Sequence, residues 1–186
     1  MTELTPPPTI VLVHGAFADA SGWAGVMREL QAAGLTVLAP PNPLRQLRGD
    51  AEAITSFVDA IDGPVLLVGH SYGGAVISRA SADLPGVVGL LYIAAFGLDE
   101  GETVLSVQEP FAPTMLAQSA RPTPYEATGA DGGPDLLIDH QLFRQTFCAD
   151  VPVDLSEILF ATQRPVAAAT LNEPLDGTPG WHDKPC

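Results

Sequence analysis

The first half of the chain alternates between two hydrophobic periods. Residues 9–13 form an unbroken apolar run, Thr-Ile-Val-Leu-Val, with no polar position between. A strand buried on both faces of a parallel sheet reads this way. Trp23, Val26, Met27, Leu30 and Ala33 then recur at helical spacing, after the helix-capping residue Ser21 and before Gly34. Residues 35–39 return to the strand pattern and stop at Pro40 and Pro41. Asp50 is placed to cap a second helix through Ile54, Phe57, Val58 and Ile61, ended at Gly63. Residues 65–68 read as a third strand. Residues 74–84 read as a third helix, closed by Pro85 and Gly86, and residues 87–94 as a fourth strand. Strands alternating with helices make βαβ units, and so predict a parallel α/β sheet with right-handed crossovers.

The alternation stops after Phe96. Residues 97–181 are rich in proline and show no convincing buried strand, which predicts an inserted, mostly helical lobe. Asp139 is placed to cap a short helix bearing Leu142, Phe143 and Phe147. Asp154 is placed to cap another bearing Ile158, Leu159 and Phe160. Phe111, Met115, Phe143, Phe147 and Phe160 are candidates to line a pocket over the sheet, although packing of the lobe onto the core accounts for each of them as well. Ahead of the first strand, Pro6-Pro7-Pro8 keeps residues 1–8 out of helix and predicts a mobile arm.

The chemistry concentrates where the third strand meets the third helix, at Gly69-His70-Ser71-Tyr72-Gly73. The pattern Gly-x-Ser-x-Gly between strand and helix is a nucleophile elbow, in which a serine is pushed out on a strained turn at the top of a sheet. The turn brings strand and helix so close that a Cβ at Gly69 or Gly73 is expected to collide with backbone. The following helix aims its N-terminal N–H groups at the place where negative charge develops on an attacked carbonyl.

Composition narrows the classes. A net charge of −14 argues against a nucleic-acid partner or an anionic membrane surface. The residues after Met1 lack the basic and apolar regions of a signal peptide, and no apolar run reaches the ~20 residues of a membrane span. Cys148 and Cys186 form neither a metal-ligand spacing nor a disulfide framework, so a reducing cytoplasm is the expected compartment. Neither a metal nor a cofactor is called for, and the expected partner is a small-molecule substrate.

These residues carry a family resemblance. The run His-Gly-Ala-Phe-Ala-Asp-Ala-Ser-Gly-Trp at 14–23, the elbow Gly-His-Ser-Tyr-Gly-Gly at 69–74 and Tyr-Ile-Ala-Ala-Phe at 92–96 resemble small cofactor-independent α/β-hydrolases. Plant methylesterases and hydroxynitrile lyases look like more distant relatives. The resemblance implies an α/β-hydrolase sheet in residues 1–96, a helical cap in 97–181, and the start of a further core strand at 182–186. It implies that Ser71 is the nucleophile and that the backbone N–H groups of Ala16 and Tyr72 form the oxyanion hole. It places His14 in a structural role.

The same resemblance puts the triad acid after a fifth strand and the histidine after a sixth, in the order Ser, acid, His. On that reading the last two strands, the closing helix, the acid and the base are missing from these 186 residues. The chain is then a truncated hydrolase with an open, apolar sheet edge. Candidates for substitution are Asp99 as acid and His140 or His182 as base. The competing accounts are a polar turn for Asp99, a solvent-facing side chain for His140 and a mobile terminal one for His182. His70 is expected to point into the sheet, and Cys148 to sit in the lobe core. The expected activity is hydrolysis of a small carboxylic ester through an acyl-Ser71 intermediate. The alternatives are hydroxynitrile-lyase or perhydrolase-like chemistry, and ligand binding without turnover. The lyase chemistry is disfavoured because Lys184 is the one lysine.

Overall fold

In the computed structural model, residues 6–123 and 134–186 are described. Most of the expected N-terminal arm, residues 1–5, lies outside them. Four parallel strands form the main sheet: β1 (Thr9–Val13), β2 (Val37–Leu38), β3 (Val65–His70) and β4 (Val87–Ile93), in the order β2-β1-β3-β4. The elbow strand β3 therefore lies beside β1. Chain order reverses there, and in open α/β sheets such a switch point opens a crevice at the carboxyl ends of the strands.

Three helices cover this sheet: α1 (Ala24–Ala32), α2 (Leu47–Asp59) and α3 (Tyr72–Ala80). Trp23, Met27 and Leu30 pack onto Ile10, Leu12, Val37 and Val68 on one face. On the other face Ile54 and Val58 of α2 and Ala75, Val76 and Ile77 of α3 join Val11, Val13, Val65 and Leu67 in the larger core. The unbroken apolar runs arise because β1 and β3 are covered on both faces. Among the described residues no helix is long and apolar enough to cross a membrane.

Two predicted caps are corrected. Asp19, not Ser21, caps the turn that leads into α1, by accepting the Ser21 N–H at 2.8 Å. Asp50 does not start α2. It lies inside the first turn, fully buried, while the helix begins at Leu47. The cap comes from far along the chain: the Glu173 carboxylate accepts the N–H of Leu47 at 2.5 Å and of Arg48 at 3.2 Å. A carboxylate at a helix N-terminus satisfies orphan donors and opposes the positive end of the dipole.

After β4 the chain forms α4 (Val104–Gln108), α5 (Met115–Ser119), β5 (Ala120–Thr123), β6 (Asp135–Ile138), α6 (His140–Phe147), α7 (Val153–Ala161) and β7 (Val166–Ala167). Helix carries most of the regular structure here. The expectation of no buried strand is nonetheless corrected, because β5, β6 and β7 pair antiparallel into a second sheet, and Val166, Ala167 and Ile138 are buried. Strands of two to four residues are too short to show a period. Asp139 caps α6 as expected, accepting the Gln141 N–H at 2.9 Å. Asp154 falls in the first turn of α7 rather than before it.

The lobe is bound to the core through the loop before α2. The Ala167 N–H donates to the Leu44 carbonyl at 3.0 Å. Arg45 holds Asp135 of β6 at 2.8 Å and donates to the Pro165 carbonyl at 2.7 Å. At the sheet edge, Leu91 and Ile93 of β4 are 45% and 42% exposed. The residues expected to open a further strand form none. One bond, from the Leu90 N–H to the Pro185 carbonyl at 2.9 Å, lays Pro185 beside β4.

Candidate active site

Ser71 takes φ +52° and ψ −124°, a conformation that non-glycine residues rarely hold. The fold over-determines it. The Ser71 carbonyl accepts from the Gly74 N–H at 3.0 Å and the Phe96 N–H at 3.1 Å, and the Ser71 N–H reaches the Ile93 carbonyl at 3.4 Å. The elbow is thus tied to its own helix and to the end of β4.

The expected role of Gly69 and Gly73 as points of close approach holds. A Cβ on Gly69 would lie 2.7 Å from the Gly73 carbonyl oxygen, and one on Gly73 would overlap the Val13 carbonyl oxygen. The sequence reading missed Gly15, whose Cβ would lie 2.8 Å from the Ser71 Cβ. The signal was present in its place two residues past the end of β1, in the His-Gly loop. The loop leaving β1 and the serine therefore touch.

Ala16, Ser71 and Tyr72 line one cavity of about 330 Å³. Tyr72 is the first residue of α3, so helix geometry leaves its N–H without an intrahelical acceptor. The rest of the wall is mainly apolar, including Phe17, Phe96, Leu116, Leu136 and Leu171, and no charged side chain contributes among the described residues. The five side chains proposed from sequence as pocket lining are elsewhere. Phe111 and Met115 are exposed, and Phe143 is buried against Phe147 and Phe160, with ring centroids at 5.0 and 5.5 Å. Packing is the reading that holds for those three.

The histidines are placed as follows. His14 is buried and structural. The Asn42 N–H donates to its Nε2 at 3.0 Å, so Nδ1 carries the hydrogen and donates to the Gly15 carbonyl at 3.0 Å. Burial holds its pKa below the ordinary value of 6.5, with the Gly15 bond opposing and the Arg164 charge assisting. His70 meets Trp23 edge-on, on the α1 face of the sheet, and burial lowers its pKa as well. His140 is exposed and pairs with Glu157 at 2.9 Å. His182 and Asp99 meet each other at 3.1 Å on the surface, which gives His182 a partner that the sequence reading did not assign. The Glu100 N–H, and after it His182, hold the Asp99 carboxyl below the usual range. Neither Asp99 nor any of the four histidines lines the Ser71 cavity. Cys148 is buried beside the Ser156 hydroxyl at 3.2 Å, in the lobe core as expected.

A pH dependence follows. A histidine whose folded pKa is depressed leaves the unfolded chain holding more protons, so its stabilisation is complete above about 6.5 and is lost as pH falls below that. Asp50 works in the opposite sense. Burial raises its pKa, so its contribution is largest at acid pH and is lost as pH rises through the folded value. The urea midpoint is expected to fall between about pH 7.5 and pH 5.5, with His14 and His70 as the source. A flat midpoint over that window counts against it.

The family model for the alpha/beta hydrolase family matches residues 10–186. The chain belongs to that family. It is 31% identical over 125 residues to the alpha/beta hydrolase nvfD of Aspergillus novofumigatus (strain IBT 16806), a match covering 57% of this chain and 50% of that one. It is 29% identical over 122 residues to a carbendazim hydrolyzing esterase of Nocardioides sp. (strain SG-4G), covering 58% and 50%. The chain spans about half the length of these curated relatives. Among solved structures, a methylesterase from Arabidopsis superposes with a TM-score of 0.73 at 20% identity, over 93% of this chain and 72% of that one. At that identity the likeness is one of fold.

Proposed function

We propose that this alpha/beta hydrolase chain acts on small, uncharged carboxylic esters through Ser71. The observation that carries the reading is the meeting of Ala16, Ser71 and Tyr72 in one apolar cavity, with Ser71 held in the elbow conformation. Ser71 Oγ attacks the ester carbonyl carbon and loses its proton. The N–H groups of Ala16 and Tyr72 receive the developing oxyanion, a contribution of about 3 kcal/mol per donor in such sites. The alcohol leaves with a proton, and water then releases the acid from acyl-Ser71. The esterase and methylesterase names among the similar proteins support this class of reaction.

On this reading Ser71, Ala16 and Tyr72 serve as nucleophile and oxyanion donors, and among the described residues no histidine lines the cavity wall to act as base. A serine without its base is a weak nucleophile. Steady turnover by this 186-residue chain is therefore expected to lie roughly 10⁴-fold or more below that of a complete triad. Over a prolonged incubation, a fluorophosphonate probe, mapped by mass spectrometry, is expected to modify Ser71, slowly for want of a base, and to give no adduct in Ser71→Ala. Absence of an adduct at Ser71 overturns the proposal. Turnover of a p-nitrophenyl ester at the rate of a complete triad overturns the expectation that no base reaches Ser71. A cavity wall with no histidine among the described residues favours a second reading, a cavity that binds an uncharged ligand without turnover. Thermal stabilisation of Ser71→Ala by an ester, with no turnover in the parent, distinguishes it.

A further inference from the structure

The residue after the nucleophile has a side chain that the proposed chemistry does not use. The Tyr72 hydroxyl donates to Asp50 Oδ2 at 2.8 Å and lies 3.2 Å from Thr170 Oγ1. All three side chains are essentially inaccessible to water. The other Asp50 oxygen accepts the Arg45 N–H at 3.1 Å. Three separate parts of the fold meet here. Asp50 belongs to α2, Tyr72 opens the elbow helix, and Thr170 sits on the short turn after β7, next to the cavity-lining residue Leu171.

Stability alone does not account for such a network. Burying a carboxylate costs several kcal/mol, and an apolar cluster of the same volume is commonly as stable or more so. A phenylalanine at 72 would fill the same space. What the hydroxyl adds is direction: two hydrogen bonds at Oη fix where the far end of the ring sits between α2 and the turn after β7. The ring in turn fixes the peptide that carries the Tyr72 N–H.

We propose that Asp50 and Thr170, acting through the Tyr72 hydroxyl, are positioning residues that hold the elbow peptide in register with the cavity wall. Its meaning for catalysis rests on the esterase reading above; the positioning itself does not. Two backbone amides report on it directly, those of Gly74 and Phe96, which both donate to the Ser71 carbonyl.

The test is amide hydrogen exchange on the full chain carrying Tyr72→Phe or Thr170→Val, beside the rate of Ser71 modification by a fluorophosphonate. Loss of the two hydroxyl hydrogen bonds in Tyr72→Phe is expected to speed exchange at Gly74 and Phe96 by about tenfold, leaving the β1 amides unchanged. Modification of Ser71 slows in the same variants, and in Thr170→Val, whose side chain does not line the cavity, the affinity for a non-reacting ester analogue is unchanged. Thr170→Val, which keeps the Asp50 bond, gives the smaller effect and stands in if Tyr72→Phe folds poorly. Unchanged exchange in both variants overturns the inference. A uniform rise that includes β1 also overturns it, because the network is then core stability and nothing more. If the parent shows no reaction at Ser71 while Gly74 and Phe96 respond as expected, the esterase reading fails and the positioning stands.

Discussion

Gly73→Ala is expected to destabilise the protein by about 3 kcal/mol or more and to abolish modification of Ser71 by a fluorophosphonate. The added Cβ overlaps the Val13 carbonyl oxygen and lies 2.9 Å from that of His14. Both are backbone atoms at the end of β1, and Val13 pairs with Gly69 of β3. A flexible side chain can swing away from such a clash, but a strand paired on both sides cannot. Relief has to come from the elbow itself, which carries the nucleophile. Gly25→Ala is the matched control. Gly25 lies within α1, and a Cβ there meets nothing within 4 Å. That change is expected to be neutral or to stabilise by up to about 1 kcal/mol, the helix propensity difference between the two residues. Urea midpoints for the two variants decide the matter, and equal shifts would sink the argument from close approach.

Arg45→Ala is expected to cost about 3–5 kcal/mol, the usual cost of removing one partner of a buried ion pair. Asp135 is buried, and both of its carboxylate oxygens accept from Arg45 Nη1, at 2.8 and 2.9 Å. The second guanidinium arm holds the Pro165 carbonyl at 2.7 Å. Deleting Arg45 leaves a carboxylate in the interior with no counter-charge and frees a carbonyl at the mouth of β7. It also removes the side-chain tie between the loop before α2 and the second sheet, leaving the backbone bond from Ala167 to Leu44. Arg45→Met combined with Asp135→Leu removes both charges and is expected to recover most of the loss. Urea unfolding of the two single variants and the double variant measures the coupling. A double variant as unstable as the sum of the singles would show that the pair is not what holds the lobe.

Much of the core was legible. Residues 9–13 and 65–68 declared themselves as buried strands by their unbroken apolar runs, and the glycines at 69 and 73 declared a close approach by the Gly-x-Ser-x-Gly pattern. The resemblance supplied Ala16, and the structure sets it beside Ser71 and Tyr72 in one cavity. The helix starts were read less well. Asp50 has the chemistry of a cap and was read as one. In the fold it accepts a tyrosine hydroxyl from α3, and Glu173 caps α2 from more than 120 residues away. Composition near a helix start cannot show a cap of that kind. The aromatic residues of the lobe were ambiguous for a related reason. Helical spacing shows that Phe143, Phe147 and Phe160 are buried somewhere, but not whether they face a cavity or one another.

Sequence alone thus determined the parallel sheet, the elbow and its glycines, since the hydrophobic period and the Gly-x-Ser-x-Gly pattern mark them even though Gly73 meets the end of β1 across some sixty residues. Tertiary structure alone decided which carboxylates are buried, what Asp50 and Glu173 bind, how Asp99 meets His182, and that no histidine enters the Ser71 cavity among the described residues. Those outcomes depend on pairs separated by tens of residues, where free energy is set by burial and geometry that no local pattern encodes.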